Sequence, residues 1–412
     1  MTTAIDAPDL TAIAEHYAAR LARPEPPPAD KPWAGQSLSI GAAGVALLHV
    51  ERALAGTGSW RHAHQWIASA VAGTVSANDH TGLYLGAPAI AFLLDAAATG
   101  APDRYRGALV VLDQHVAALA HRRVDTAMAR IKAGQLPEFR DYDVFFGLTG
   151  IGALLLRRDP AGAAMERILD YLVALTRPRQ VEGLRLPGWW VGHDPHRRMS
   201  AGYRGGHGNN GMAHGITGPL ALLSLALRRG ITVDGQQAAI ATIGAWLDRW
   251  RQDGDTGVWW PEWITLPELR SGRPRQPGPA RPSWCYGTPG IARAGQLAGI
   301  ATGDTAQQRS YEQALLDCLD DPTQQHRITD AGLCHGWAGL YHTVWRAAPD
   351  AHTPALTARL PHLAATLAHH ASRDHTTPRG FLDGTAGTAL ALHAAAHHTA
   401  PISGWDACLL IN

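Results

Sequence analysis

Residues 214–229 read HGITGPLALLSLALRR. A Gly-x-x-Gly unit opens the stretch and an apolar run follows it. A run that is apolar nearly all round reads as a buried helix. The unit recurs along the chain, at 41–44 (GAAG), 147–150 (GLTG), 215–218 (GITG), 287–290 (GTPG), 336–339 (GWAG) and 384–387 (GTAG). A degenerate copy, GAPA at 86–89, carries Ala89 where the second glycine belongs. The spacings are 45, 61, 68, 72, 49 and 48 residues, and an Ala/Leu-rich run follows every copy. The first glycine permits an unusual turn backbone, and the second lets the helix start close to its neighbours.

Amphipathic stretches lie between the copies: Leu10–Leu21, Arg61–Val75, Asp103–Arg123, Ala164–Thr176, Gln236–Arg251, Gln308–Leu319 and Pro354–His369. Each shows apolar residues at three- and four-residue steps. The unit is therefore outer helix, glycine turn, inner helix, seven times over. Seven such pairs can close into a ring whose inner helices line a central cavity. An open solenoid would need polar caps that the sequence does not show. The expected architecture is all-α, an α/α toroid over residues 1–412 as a single domain. Two long elaborations, 179–211 and 254–284, interrupt it, and part of them is expected to form short strands over the mouth of the ring.

Composition narrows the function. Lys+Arg is 36 against Asp+Glu 35, so no basic surplus exists to neutralise nucleic-acid phosphates. Hydrophobic residues make up 46%, enough for a large core. The N-terminal MTTAIDAPDL does not read as a signal peptide. The longest apolar stretches, such as Ile216–Leu227, are too short to form a transmembrane segment. A soluble cytoplasmic protein is expected. The histidines of 393–398 read as a solvated face. Four cysteines are too few for a disulfide scaffold, so a spaced subset reads as metal ligands or catalytic groups.

In a ring, all the glycine turns converge on one rim. Three turns carry reactive groups beside the first glycine: Ala213-His214-Gly215, Cys285-Tyr286-Gly287 and Cys334-His335-Gly336. Cys285, Cys334 and His335 make a plausible zinc site with a fourth position open. The competing reading is two buried core cysteines and a satisfied histidine. Two cysteines at equivalent repeat positions, one beside His, favour the metal. Cys318 and Cys408 read as core. His214 is a candidate general acid/base or a backbone-bonded helix-start histidine. Asp143 either handles a proton or caps a helix. Arg281 either stabilises a developing enolate or is an exposed arginine. Trp189 and Trp190 are candidate peptide contacts, and His207 takes no role.

Trp-Cys-Tyr-Gly at 284–287, Cys-His-Gly at 334–336, Gly-Met-Ala-His-Gly-Ile-Thr-Gly at 211–218 and YDVFFGLTGIG at 142–152 together resemble the lanthionine cyclase family. The seven-copy glycine pattern extends the resemblance over nearly the whole chain. It implies an α/α toroid with one Zn2+ at the rim, held by Cys285, Cys334 and His335. It also implies proton transfer by His214 and Asp143, an active-site Arg281, and Tyr286 as a neighbour of the metal. The implied reaction is Michael-type addition of a peptide Cys thiol to dehydroalanine or dehydrobutyrine, which closes a thioether ring. The implied partners are a dehydrated precursor peptide with its leader, a lanthipeptide dehydratase and an exporter. Departures from the family pattern are Ala89 and the His207-Gly208-Asn209-Asn210 run before the histidine motif. Three rival readings stay open: glutathione addition to dehydrated residues, another α/α-barrel enzyme such as a zinc prenyltransferase subunit or a glycosidase, and a non-catalytic scaffold for a leader peptide or a dehydratase.

Overall fold

The computed structural model describes residues 9–181, 183–373 and 378–412. The signal-peptide reading of the first ten residues falls mostly on positions 1–8, outside the described residues. The chain opens with α1 (Leu10–Arg20). Helical hairpins follow, each an inner helix and then an outer one. The first are α2 (Ala42–Leu54) with α3 (Trp60–Ala70) and α4 (Ala87–Ala98) with α5 (Arg106–Lys132). After the one-turn α6 (Phe139–Tyr142) come α7 (Leu148–Arg158) with α8 (Ala163–Leu175), then α9 (Thr217–Arg228) with α10 (Gln236–Trp250). Past α11 (Leu266–Ser271), α12 (Thr288–Thr302) pairs with α13 (Thr305–Asp320). The short α14 (Pro322–Gln325) precedes α15 (Trp337–Ala347) with α16 (Ala355–Arg373), and α17 (Thr385–His397) ends the series.

Each inner helix packs on the next inner helix, and α17 packs on α2, so the inner ring closes. The last hairpin is completed from the other end of the chain, because α17 takes α1 as its outer partner. The Tyr17 hydroxyl donates to the Ala371 carbonyl across that seam at 2.5 Å. The fold is the expected α/α toroid.

The second glycine of the repeat has a geometric reason. A Cβ on Gly44, Gly150, Gly290, Gly339 or Gly387 would lie 1.8–2.2 Å from the carbonyl oxygen six residues earlier, on Leu38, Val144, Trp284, Leu333 and Phe381 respectively. No side chain fits there.

The turns themselves are stitched into a circle. Val144 N–H donates to Ala213 O (3.1 Å), Ala213 to Cys285 (3.3 Å), Cys285 to Cys334 (3.2 Å), Cys334 to Leu382 (2.9 Å), Leu382 to Ser39 (3.1 Å) and Leu38 to Tyr84 (3.1 Å). At the joint between the second and third turns the Tyr84 ring stacks on Phe145, centroids 4.5 Å apart. Residues far apart in sequence thus become rim neighbours, by backbone pairing at six joints and by ring stacking at the seventh.

Among the described residues, a segment near the end of the chain occupies the middle of the ring. Residues 405–411 fill its centre, each at most 5% exposed. Inner-helix and turn side chains hold them from around the circle. Arg157 donates to Gly404 O (2.6 Å), Tyr84 to Cys408 O (2.9 Å), Trp284 to Leu409 O (2.9 Å) and Arg293 to Ile411 O (2.9 Å). Asp406 is clasped by His342 at 2.7 Å and by Arg346 at 2.5 and 2.8 Å. The lined central cavity expected from sequence is therefore a packed core. Cys408 is buried there, in the 3-10 helix Trp405–Leu409, as a core thiol.

The two elaborations meet over one face. Strand β1 (Arg179–Val181) pairs with β2 (Leu184–Leu186), and β4 (Gln252–Gly254) with β5 (Gly257–Trp259). The strand β3 (His207–Asn209) of the first elaboration pairs with β6 (Trp263–Thr265) of the second. Trp189 and Trp190 are 2% and 0% exposed beneath them, so they are core anchors and not peptide contacts. Of the 393–398 stretch, His397 and His398 are exposed as expected, but His393 is buried. Among the described residues, no helix is long and apolar enough to cross a membrane.

Candidate metal centre and proton-transfer pair

The backbone joints set the site. Because Cys285 N–H bonds to Cys334 O, the fifth and sixth turns present their side chains together. One donor atom each from Cys285, Cys334 and His335 lies within 4.8 Å of the others. The donor chemistry fits a single ion. Two thiolates and one imidazole suit zinc, and three protein donors leave a fourth position. Cys285 is buried, whereas Cys334 and His335 are partly exposed. The Cys334 thiol and the His335 ring hold the Cys285 thiol well below its ordinary range, against the opposing effect of burial. Burial pushes the Cys318 thiol far up and the Cys408 thiol to about 12. Cys334 moves the other way, pushed up first by its hydrogen bond to Cys285 and then by burial, so Cys285 alone of the four thiols is held low.

The next joint, Ala213 N–H to Cys285 O, brings the fourth turn alongside. The one after it brings in the third. His214 Nδ1 lies 2.7 Å from Asp143 Oδ2. The other Asp143 oxygen accepts from Phe146 N–H (2.6 Å) and Gly147 N–H (2.7 Å). Asp143 therefore closes the turn and grips the histidine, while the helix N-cap expected of it is Gly147 instead. A carboxylate only accepts, so His214 carries its hydrogen on Nδ1 and leaves Nε2 as the bare nitrogen. Phe139, Phe145 and Phe146 surround the imidazole at 4.9–5.8 Å between centroids.

Arg281 Nη1 lies 3.8 Å from Asp330 Oδ2, so it belongs to the same rim and is not a stray surface arginine. Tyr286 packs against Trp263 (centroids 6.2 Å apart), and its hydroxyl accepts from Asn209 Nδ2 at 3.0 Å. Beside them, a groove of about 520 Å³ runs between Tyr203, Glu262, Trp263, Arg275 and Arg327.

Two carboxylates were missed from sequence. Asp383 Oδ1 is 3.5 Å from His335 Nδ1, and Asp330 Oδ2 is 3.7 Å from His335 Nε2. Whichever nitrogen meets an ion, the other faces a carboxylate that orients the ring. The signal was in the repeat. Asp383 precedes Gly384 just as His214 and His335 precede Gly215 and Gly336. Asp330 stands six residues before its glycine, as Arg281 does before Gly287.

The model of the lanthionine synthetase C-like protein family matches residues 32–410. Among curated proteins, the nisin biosynthesis protein NisC of Lactococcus lactis subsp. lactis is 26% identical over 205 residues, covering 48% of this chain and 47% of that protein. The match thus spans about half the length of this relative. The solved structure of nisin cyclase superposes with a TM-score of 0.79 at 21% identity, covering 98% of this chain and 96% of that one. At that identity the likeness shows the fold, a toroid of the same kind.

Proposed function

Since this chain belongs to the lanthionine synthetase C-like family, we propose that it is a lanthipeptide cyclase acting on a dehydrated, cysteine-containing precursor peptide. The observation that carries this reading is the placement of the Cys285–Cys334–His335 cluster one joint away from the Asp143–His214 pair. Thiol activation and proton transfer are then side by side on one rim.

In this reading Cys285, Cys334 and His335 hold zinc. A zinc ion there supplies Lewis acidity that favours the thiolate form of an incoming thiol. His214 Nε2 takes the thiol proton while Asp143 steadies the resulting imidazolium. The sulfur adds to the β-carbon of dehydroalanine or dehydrobutyrine, and the π pair moves onto the carbonyl oxygen. Arg281 stabilises that enolate. His214 then returns its proton to the α-carbon, so the ring-closed product is an isomer of the substrate. The groove beside Trp263 is wide enough to seat a segment of peptide, and the precursor, its dehydratase and the cytoplasm remain the expected setting. The described chain acts as one cyclase unit.

The test is the protein with a dehydrated precursor peptide, followed by thiol alkylation and mass spectrometry. Ring closure leaves the mass unchanged and removes alkylatable thiols. The Cys285→Ala variant should leave every thiol open to alkylation. Thiols that stay reactive with the intact protein contradict the reading, and a mass gain from added glutathione favours the non-cyclising alternative.

A further inference from the structure

The His207-Gly208-Asn209-Asn210 run leads, in the structure, into the rim that carries the Cys285–Cys334–His335 cluster. Asn209 stands six residues before Gly215, the repeat position held by Arg281 and Asp330 in the next two turns. The equivalence is structural as well. Ile216 N–H donates to Asn209 O at 2.9 Å, as Trp337 N–H does to Asp330 O at 3.1 Å. Asn209 is fully buried on β3, and its side chain reaches Tyr286, the residue beside Cys285.

The direction of every hydrogen bond here is forced. Gly211 N–H can only donate, and it meets Asn209 Oδ1 at 2.9 Å. That fixes the amide, so Nδ2 is the atom facing Tyr286 Oη at 3.0 Å. An amide nitrogen has no acceptor lone pair, so the tyrosine oxygen accepts. On the other side, His207 Nδ1 lies 2.7 Å from the His193 carbonyl, which can only accept. His207 Nε2 is thereby left bare, and it faces Asn209 Nδ2 at 3.5 Å. Burial holds His207 at about 4, so the ring stays neutral and keeps that polarity. The chain runs one way: His207 orients Asn209, and Asn209 donates to Tyr286. The hydroxyl hydrogen of Tyr286 must therefore point elsewhere. Tyr286 precedes its glycine as His214 and His335 precede theirs, so its side chain belongs to the same rim.

We infer that Asn209 is a positioning residue that leaves the Tyr286 hydroxyl free to donate a hydrogen bond to the carbonyl oxygen of the dehydroamino acid as negative charge develops there. No bond to Tyr286 breaks; its hydrogen bond strengthens as the sulfur–carbon bond forms. The inference rests on the cyclase reading.

The test is a double-mutant cycle on ring closure with the full-length, zinc-loaded protein. Asn209→Asp is isosteric but offers only acceptors, so it draws the Tyr286 hydrogen away from the site. It should lower kcat by about 10- to 100-fold with little change in KM. Tyr286→Phe should lose a similar factor, and adding Asn209→Asp to Tyr286→Phe should cost nothing more. Metal content should match the parent in all three. An undiminished rate in Asn209→Asp overturns the inference, as does an equal loss in both backgrounds, which marks a purely structural role. If Asn209→Asp does not fold, Asn209→Leu is put through the same cycle, with the same loss expected only where Tyr286 is present. A parent protein that closes no ring condemns the cyclase reading itself, not this step.

Discussion

His214 and Asp143 lie 71 residues apart in sequence, yet Nδ1 of one is 2.7 Å from a carboxylate oxygen of the other. The Val144 N–H to Ala213 O bond between their turns brings them together. Asp143→Asn keeps the shape but can place an N–H against His214 Nδ1, which favours the wrong tautomer. Ring-closure kcat should fall by about 100-fold or more, on the logic of a carboxylate that orients a catalytic imidazole. Metal content should not change. Single-turnover kinetics beside metal analysis checks both, and a lost metal in this variant would move the pair into the binding site.

The repeat glycines should be far less forgiving than their helix positions suggest. In Gly339→Ala the new Cβ would lie 2.0 Å from the Leu333 carbonyl oxygen. We expect a loss of about 2–4 kcal/mol in urea unfolding. The converse change, Ala89→Gly, should cost no more than about 1 kcal/mol, the ordinary helix-propensity difference. Equal effects at the two positions would refute the close-approach account.

Asp406 sits at the centre of the ring, wholly buried. Burial opposes its charge, but His342 and Arg346 overcome that and hold the carboxyl well below the usual range. Asp406→Asn leaves Arg346 without its counter-charge and should cost about 3 kcal/mol. Thermal unfolding of the variant checks this. A melting temperature equal to the parent's would mean that residues 405–411 do not pin the ring.

Acid should destabilise the fold well before its carboxylates titrate. His49 is 3% exposed, with Nε2 2.8 Å from the Leu21 carbonyl, and burial holds it at about 4. His207 is held at about 4 for the same reason. Their unfolded values are about 6.5, so protons bind the unfolded chain more readily. Their contribution is complete above about pH 6.5 and is lost as the pH falls toward 4, by up to about 1.4 kcal/mol per unit for each histidine. Urea midpoints between pH 7.5 and 4.5 should show this slope. His49→Gln should flatten it, and an unchanged slope would exclude His49 as a source.

Much of this was legible because the repeat is punctuated by glycines, most of them at points where a Cβ would meet a carbonyl oxygen. Counting back from each first glycine finds His214, Cys285, Cys334 and His335 before any coordinates are seen. The helices followed too, although α5 runs to Lys132, nine residues past the amphipathic stretch that ended at Arg123. Asp383, Asp330 and Asn209 share the repeat register of His335 and Arg281, but Asp and Asn beside a turn glycine are ordinary turn residues, so their type alone marks nothing. Trp189 and Trp190 could not be placed from sequence, since their burial depends on β3 meeting β6 from a separate segment. The filling of the ring by residues 405–411 was equally hidden. That segment has no amphipathic period, and its carbonyls accept from Tyr84, Trp284 and Arg293, each more than a hundred residues away.

X-ray absorption on the zinc-loaded protein tests the metal centre most directly. Two sulfur atoms and one imidazole nitrogen from the chain should surround the ion, with one sulfur fewer in either Cys285→Ala or Cys334→Ala. A protein that takes up no zinc, or holds it without sulfur, would contradict the account at its foundation.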